Sequence, residues 1–265
     1  MTDLTLNDGR TMPALGMGTW QIPDAQAAGV VRAGLDLGFR LVDTAAAYHN
    51  ERGVGEGLAD ADAWVTTKLW NDRQGDAAAA LDESLALLGR DSVDLYLIHW
   101  PAPGEDRFVE AWQALIAARD AGKAKSIGVS NFRAEDLDRL AAETSVVPAV
   151  NQIELHPYFQ QAEARADHQR RGIITQSWSP LGRGDVLKDE AIGRIADKHG
   201  VSAAQVVIAW HLALGLSVIP KAGDRDHLAD NAAAGDLTLD DDDLAAIAAL
   251  DRGEAGRVGP TPESM

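Results

Sequence analysis

Eight short apolar runs, at 14–17, 39–42, 64–67, 93–98, 125–129, 149–153, 173–176 and 216–219, are spaced along this chain with helical patterns between them. The clearest of those patterns cover 24–37, 76–88, 105–121, 133–142, 162–171 and 189–199. Such alternation predicts βα units, because parallel neighbours need a crossover long enough to hold a helix. Gly38, Gly89, Gly122, Gly172 and Gly200 stand where helices should stop, as left-handed caps. Eight units fit a closed (β/α)8 TIM barrel better than an open doubly wound sheet. The first run leads into Gly16-Met17-Gly18-Thr19-Trp20-Gln21, which lacks the third glycine of the dinucleotide fingerprint. Before it, 4–6 and 11–13 flank Asn7-Asp8-Gly9, an N-terminal β-hairpin signal, and that hairpin is expected to close the bottom of the barrel. With 265 residues and no linker, one barrel domain over 1–265 is expected.

Composition narrows the partners. A formal charge of -17, from 41 acidic and 24 basic side chains, argues against nucleic acid and anionic membranes, which bind dense Lys and Arg. There is no cysteine, so thiolate metal sites and cysteine nucleophiles are excluded. No apolar run approaches the ~20 residues of a membrane span, and Met1-Thr2-Asp3 does not begin a basic-then-apolar leader. The expected location is cytoplasmic. Asp240-Asp241-Asp242-Asp243 reads as the start of a helix, where carboxylates suit the N-terminal dipole, ahead of a metal site.

Asp43, Lys68 and His99 each stand where a strand-like run breaks off, and Tyr48 lies in the loop beyond the first of them. In a parallel barrel those positions converge at the C-terminal rim. The two-residue period supports convergence: Leu41 with Asp43, Thr66 with Lys68 and Leu97 with His99 share faces. Singly, each has an ordinary explanation, as a helix cap, a half-buried ring, a solvated strand end and a core histidine. Together they make chemical sense, because a buried Lys68 needs a carboxylate and Asp43 supplies one. A tyrosine hydroxyl, with a pKa near ~10, is a weak acid unless a cation such as Lys68 lowers it. The set suits protonation of a carbonyl oxygen, with His99 orienting that oxygen.

The segments around these four carry a resemblance. They are Gly38-Phe39-Arg40-Leu41-Val42-Asp43-Thr44-Ala45, Tyr48 with Asn50-Glu51, Thr66-Thr67-Lys68-Leu69-Trp70 and Asp94-Leu95-Tyr96-Leu97-Ile98-His99-Trp100-Pro101. Ile127-Gly128-Val129-Ser130-Asn131-Phe132, Val150-Asn151-Gln152-Ile153-Glu154-Leu155-His156-Pro157 and Ile219-Pro220-Lys221 continue it. In these segments the chain resembles the aldo-keto reductase family, near its bacterial 2,5-diketo-D-gluconic acid reductase branch. The resemblance implies a (β/α)8 barrel, NAD(P)H-dependent reduction of aldehydes and ketones, and Tyr48 as proton donor with Asp43, Lys68 and His99 completing a tetrad.

The resemblance also implies a cofactor site. Ser130, Asn131 and Gln152 would hold the nicotinamide carboxamide, and Trp178 would stack on its ring. Gly18, Thr19, Trp20, Asp43, Ser179, Leu181 and Ile219 would line the same site, with Arg183 and Gly184 in a loop over the pyrophosphate. Lys221, Arg225 and His227 would meet the adenosine phosphate, and Asp230 and Asn231 the adenine. NADP(H) is the family default. Here Lys221 is followed by Ala222, Gly223, Asp224, Arg225 and Asp226 instead of the usual hydroxyl and arginines, so NAD(H) is expected to be accepted as well. Trp20, Ala47, His49, Trp70, His99 and Trp100 would surround a small-molecule carbonyl substrate such as a dicarbonyl, keto-sugar or aromatic aldehyde. The connection Pro101 to Glu105 and the tail after Arg252 are short for this family, which predicts an open pocket of broad specificity, and a monomer is expected by family analogy alone. Competing readings are a Schiff-base aldolase built on Lys68, a non-catalytic cofactor-sensing member, and a metal hydrolase using His49, His99 and His156, which lack ligand-like pairing. No metal is expected.

Overall fold

The structure, a computed structural model, describes residues 3–265; the Met1-Thr2 start lies outside them. The expected hairpin forms: β1 (Asp3–Thr5) pairs antiparallel with β2 (Thr11–Pro13). Its buried Leu6 and Met12 join Leu41, Leu95, Leu97, Val150 and Ile219 in one apolar cluster inside the barrel. Around it, Asn7 Nδ2 donates to the Pro148 carbonyl, Arg10 Nε to the Lys125 carbonyl and Ser126 Oγ to the Asp8 carboxylate. These partners sit where strands begin, so the hairpin plugs the bottom.

Eight parallel strands follow: β3 (Met17–Gly18), β4 (Leu41–Asp43), β5 (Trp64–Leu69), β6 (Val93–Ile98), β7 (Ala124–Ser130), β8 (Val150–Glu154), β9 (Ile174–Trp178) and β10 (Ser217–Val218). They neighbour one another in chain order, and parallel bridges Leu15–Val218 and Gly18–Lys221 join the last strand to the first. Gly16 and Gly18 N–H groups donate to the Val218 and Pro220 carbonyls across the same seam. The first and last strands are shorter than their apolar runs predict. Pro220 has no N–H with which to continue the ladder.

The helices are α1 (Asp24–Asp36), α2 (Glu51–Leu58), α3 (Ala77–Leu88), α4 (Phe108–Asp120), α5 (Ala134–Thr144), α6 (Ala162–Arg171), α7 (Glu190–His199), α8 (Ala203–Ala213), α9 (Arg225–Ala233) and α10 (Asp241–Ala248). All five glycines expected to stop helices have positive φ. Asp240 caps α10 and Asp243 returns a hydrogen bond to its backbone, as the acidic run predicts. Three helices, α2, α8 and α9, lie outside the patterns expected from the sequence, and for the first two the reason is visible. Gly53, Gly55 and Gly57 make α2 a poor helix by propensity, yet a Cβ on any of them would collide with α1 or with the Leu88 backbone ending α3. In α8 Val206 to His211 are all buried, which erases an amphipathic stripe.

Strand parity places the site. Val42, Val65, Tyr96 and Ile98 pack outward against the helices, whereas Leu41 and Leu97 point into the barrel. Burying one such leucine is worth roughly 1.5–3 kcal/mol over exposure, and a one-residue slip would turn every strand inside out. The same register carries Asp43, Lys68 and His99 inward at the rim.

Candidate active site

Asp43 ends β4, Lys68 is the penultimate residue of β5 and His99 follows β6. Tyr48 closes a short 3-10 turn, Ala46–Tyr48. The Lys68 ammonium is wholly buried and spends its three N–H bonds on Asp43 Oδ1 at 2.6 Å, the Thr44 carbonyl at 2.8 Å and Tyr48 Oη at 3.4 Å. A buried cation is costly unless its donors are met, and here each has an acceptor. Burial presses Lys68 toward neutrality, but Asp43 and the Tyr48 hydroxyl outweigh it, and the lysine pKa rises above its ordinary value. Burial likewise lifts Asp43, opposed by Lys68 and Gln152.

Tyr48 departs from expectation. Burial raises its hydroxyl above the ordinary tyrosine value, and the opposing pull of Lys68 is the smaller effect. The phenol is therefore protonated at neutral pH, with a cation 3.4 Å away to receive the charge it leaves on giving up that proton. His99 lies well below the usual imidazole range, first through burial and then through Lys68, so it is neutral. Its ring meets Tyr48 edge-on at 5.7 Å and Trp70 at 5.1 Å, and stacks on Trp100 at 6.4 Å. Its Nδ1 has no partner among the described residues.

These groups floor a cavity of about 590 Å³. All four expected catalytic residues except Lys68 line it, and Lys68 lies beneath, behind Asp43 and Tyr48. All six expected substrate residues, Trp20, Ala47, His49, Trp70, His99 and Trp100, line it too. So do Gly18, Ser130, Asn131, Gln152, Trp178, Ser179, Arg183, Ile219 and Lys221. Asn131 is braced from three sides: Nδ2 donates to the His99 carbonyl and to Ser130 Oγ, and Oδ1 accepts from Trp178 Nε1 at 2.8 Å. Arg183 lies over the exposed Trp20 ring at 5.8 Å.

Other expected residues sit elsewhere. Thr19 is buried and donates to the Asp43 carbonyl. Leu181 packs between two apolar clusters, and Gly184 follows Arg183 outside the cavity wall. Ala222 is buried in the core. Arg225 approaches Asp36 at 3.6 Å. Asp224 caps α9 through the His227 N–H and holds the His227 ring at 2.6 Å, which raises the His227 pKa. Asp226 is exposed beside them. Asp230 accepts from Ser202 Oγ and Gln205 Nε2 of the neighbouring helix, and Asn231 is buried. His156 pairs with buried Glu154, and among the described residues no three His, Asp or Glu side chains converge as a metal site would require.

Sequence reading missed the tail. Pro260 and Met265 line the cavity together with Asp72 and Pro180. The tail is strapped down by Glu154, whose two carboxylate oxygens accept from the Val258 N–H at 2.6 Å and the Gly259 N–H at 2.9 Å. Gly259 must be glycine here, since a Cβ would strike the Trp178 ring and that carboxylate. A tail of this kind carries no periodicity, so the only signal was a glutamate in an otherwise inward-facing strand position.

The profile of the aldo/keto reductase family matches residues 14–252. An aldo-keto reductase of Mycolicibacterium smegmatis is 47% identical over 99% of this chain and 97% of its own. Methylglyoxal reductase DkgA of Salmonella typhimurium is 46% identical over 100% of this chain and 98% of its own. Among solved structures, a mutant of Gox0644 in complex with NADPH superposes with a TM-score of 0.97 at 50% identity, covering 100% of this chain and 98% of that one.

Proposed function

Because the chain belongs to the aldo/keto reductase family, we propose that it reduces small aldehydes, ketones and dicarbonyls to alcohols at the expense of NAD(P)H. The observation that carries this reading is the Lys68 ammonium, buried between Asp43 at 2.6 Å and the Tyr48 hydroxyl at 3.4 Å under an aromatic-lined cavity. The dihydronicotinamide supplies a hydride when bound. Tyr48 Oη gives its proton to the carbonyl oxygen as hydride reaches the carbon, and the phenolate left behind is held by Lys68. Neutral His99 directs the same oxygen, and Asp43 keeps Lys68 charged. Ser130, Asn131 and Gln152 offer hydroxyl and amide groups suited to a neutral carboxamide, and half-buried Trp178 offers a ring face.

The phosphate end favours NADP(H) through Lys221, Arg225 and His227, all exposed and cationic or close to it. Asp224 is turned into its own helix cap, which moderates its repulsion of a phosphate. The hydroxyl and arginines usual after Lys221 are absent, however, and on that ground NAD(H) is accepted beside NADP(H). A preference for NADPH over NADH in kcat/KM above about a hundredfold, some ~2.7 kcal/mol, sinks that part of the reading. Methylglyoxal leads the substrate panel because relatives of comparable length are methylglyoxal reductases. Diketogluconate and aromatic aldehydes complete it, followed at the nicotinamide absorbance. Turnover by a Tyr48→Phe variant at the wild-type rate would refute the proton donor. By family analogy the enzyme is a monomer, which sedimentation checks, and cytoplasmic, which cell fractionation checks.

A further inference from the structure

Asp43 starts a second chain of hydrogen bonds, one that runs across the barrel away from Lys68. Gln152 Nε2 donates to Asp43 Oδ2 at 2.8 Å and also to Gln176 Oε1 at 2.6 Å, and Gln176 Nε2 donates to Ser217 Oγ at 2.9 Å. The four residues come from β4, β8, β9 and β10, and none is more than 2% exposed. On the other strands the inward-facing positions below the rim are mostly apolar, such as Leu41, Leu95, Leu97 and Val150, with the small hydroxyl side chains of Thr66 and Ser126 between them. Two adjoining strands spend such positions on Gln176 and Ser217, which are costly there unless paired.

The chain has a direction. An ionised carboxylate only accepts, so Gln152 must turn its NH2 group to Asp43. The second hydrogen of that NH2 then needs an acceptor, and Gln176 Oε1 supplies it. A flipped Gln152 would set its oxygen against the Asp43 carboxylate. The atom left over is Gln152 Oε1, which has no hydrogen-bond partner among the described residues, in a side chain that lines the cavity.

We infer that Gln176, backed by Ser217, is a positioning residue that holds the Gln152 amide with its oxygen toward the cavity, so that the site selects a ligand carrying an amide N–H. Under the proposed cofactor use, on which this rests, that ligand group is the nicotinamide carboxamide. Gln176 never touches it. Removing Gln176 leaves one buried N–H of Gln152 unpaired and its amide anchored only through Asp43, so the amide plane can swing its oxygen off the cavity without flipping, and the loss is confined to ligands that donate to that oxygen.

The test is binding, followed by quenching of tryptophan fluorescence in the wild type, Gln176→Met and Ser217→Ala. The ligands are NADPH, its 3-acetylpyridine analogue, in which a methyl replaces the amide NH2, and adenosine 2′,5′-bisphosphate. The wild type should bind NADPH about tenfold or more tighter than the analogue, since a site built to pair an N–H penalises its absence. Gln176→Met should weaken NADPH about tenfold while leaving the analogue and the adenosine fragment within about twofold. Ser217→Ala should shift the same ratio in the same direction by less, and it decides the matter if Gln176→Met does not fold. Unchanged discrimination in the folded variants overturns the inference and leaves the proposed function standing. A wild type that binds NADPH and its analogue equally also overturns it. A wild type that binds no NADPH overturns both.

Discussion

The two ends of the cavity are built on opposite principles. At the tetrad end each charge is buried and paired, Lys68 with Asp43, and a chain of buried amides continues from it, Gln152 on Asp43 and Gln176 on Gln152. At the other end Lys221, Arg225 and His227 stand in solvent on a loop and the first turn of α9, where Arg225 approaches Asp36 at 3.6 Å. Buried charge is held by partners that cannot be removed singly without leaving an orphan. Exposed charge is screened and worth little per pair. Changes at the first end should therefore be nearly all-or-none, and changes at the second should be graded.

Lys68→Met should produce the largest effect. It strands Asp43 as an unpaired buried carboxylate, so denaturant unfolding should show a loss of about 3–5 kcal/mol together with loss of turnover. A variant as stable as the wild type would break the contrast. Next comes Tyr48→Phe, which removes one hydroxyl and leaves the Lys68–Asp43 pair intact. Turnover should fall by about 10²–10⁴, with NADPH binding by fluorescence within about twofold and a stability loss of about 1–3 kcal/mol, smaller than that of Lys68→Met, for the Lys68 N–H left without its acceptor.

Acid should show how far the buried regime extends beyond the cavity. Burial holds His168 at about 4 and His211 at about 3, so both are neutral in the fold. His168 is wired in that state, with one ring nitrogen on Asn151 Nδ2 and the other on Thr175 Oγ1. The unfolded chain takes up their protons near ~6.5. The stability they contribute is thus complete above that pH and is lost as the pH falls toward the folded values. At pH 5 the two together should cost on the order of 4 kcal/mol relative to neutral pH. Glu51, raised by burial, acts in the opposite sense. Thermal melting should therefore fall between about pH 6.5 and 5, and His168→Gln should flatten that fall. A melting temperature independent of pH over this range would exclude the neutral assignment.

The smallest effect belongs to the exposed end. Asp224→Ala removes the α9 cap and one negative charge from beside the phosphate-facing cations. The NADPH to NADH ratio in kcat/KM should rise by less than about tenfold, with turnover on saturating NADPH unchanged. A change as large as that of Tyr48→Phe would erase the distinction between the two ends.

Legibility followed the same division. Leu41 with Asp43 and Leu97 with His99 could be read because a strand repeats every two residues and its apolar partners mark the inward face. The Asp240 run and the helix-stopping glycines were legible because a cap is a local event. α2 was not, since its three glycines oppose a helix locally and are demanded only by the backbones of α1 and α3. The Glu154 strap was not either: its acceptors meet Val258 and Gly259 more than a hundred residues later in the chain. The direction of the Tyr48 shift also went unread. The cation beside it was visible in the sequence, but the burial that outweighs the cation was not.

The order of strands and helices, the barrel they close and the identity of the four groups at its rim are properties of the sequence alone, because each rests on residues near one another in the chain. Which protons those groups hold, how Gln152 is turned and what the tail covers were decided by the tertiary structure. Desolvation and the pairing of buried donors depend on atoms that only the closed barrel brings together.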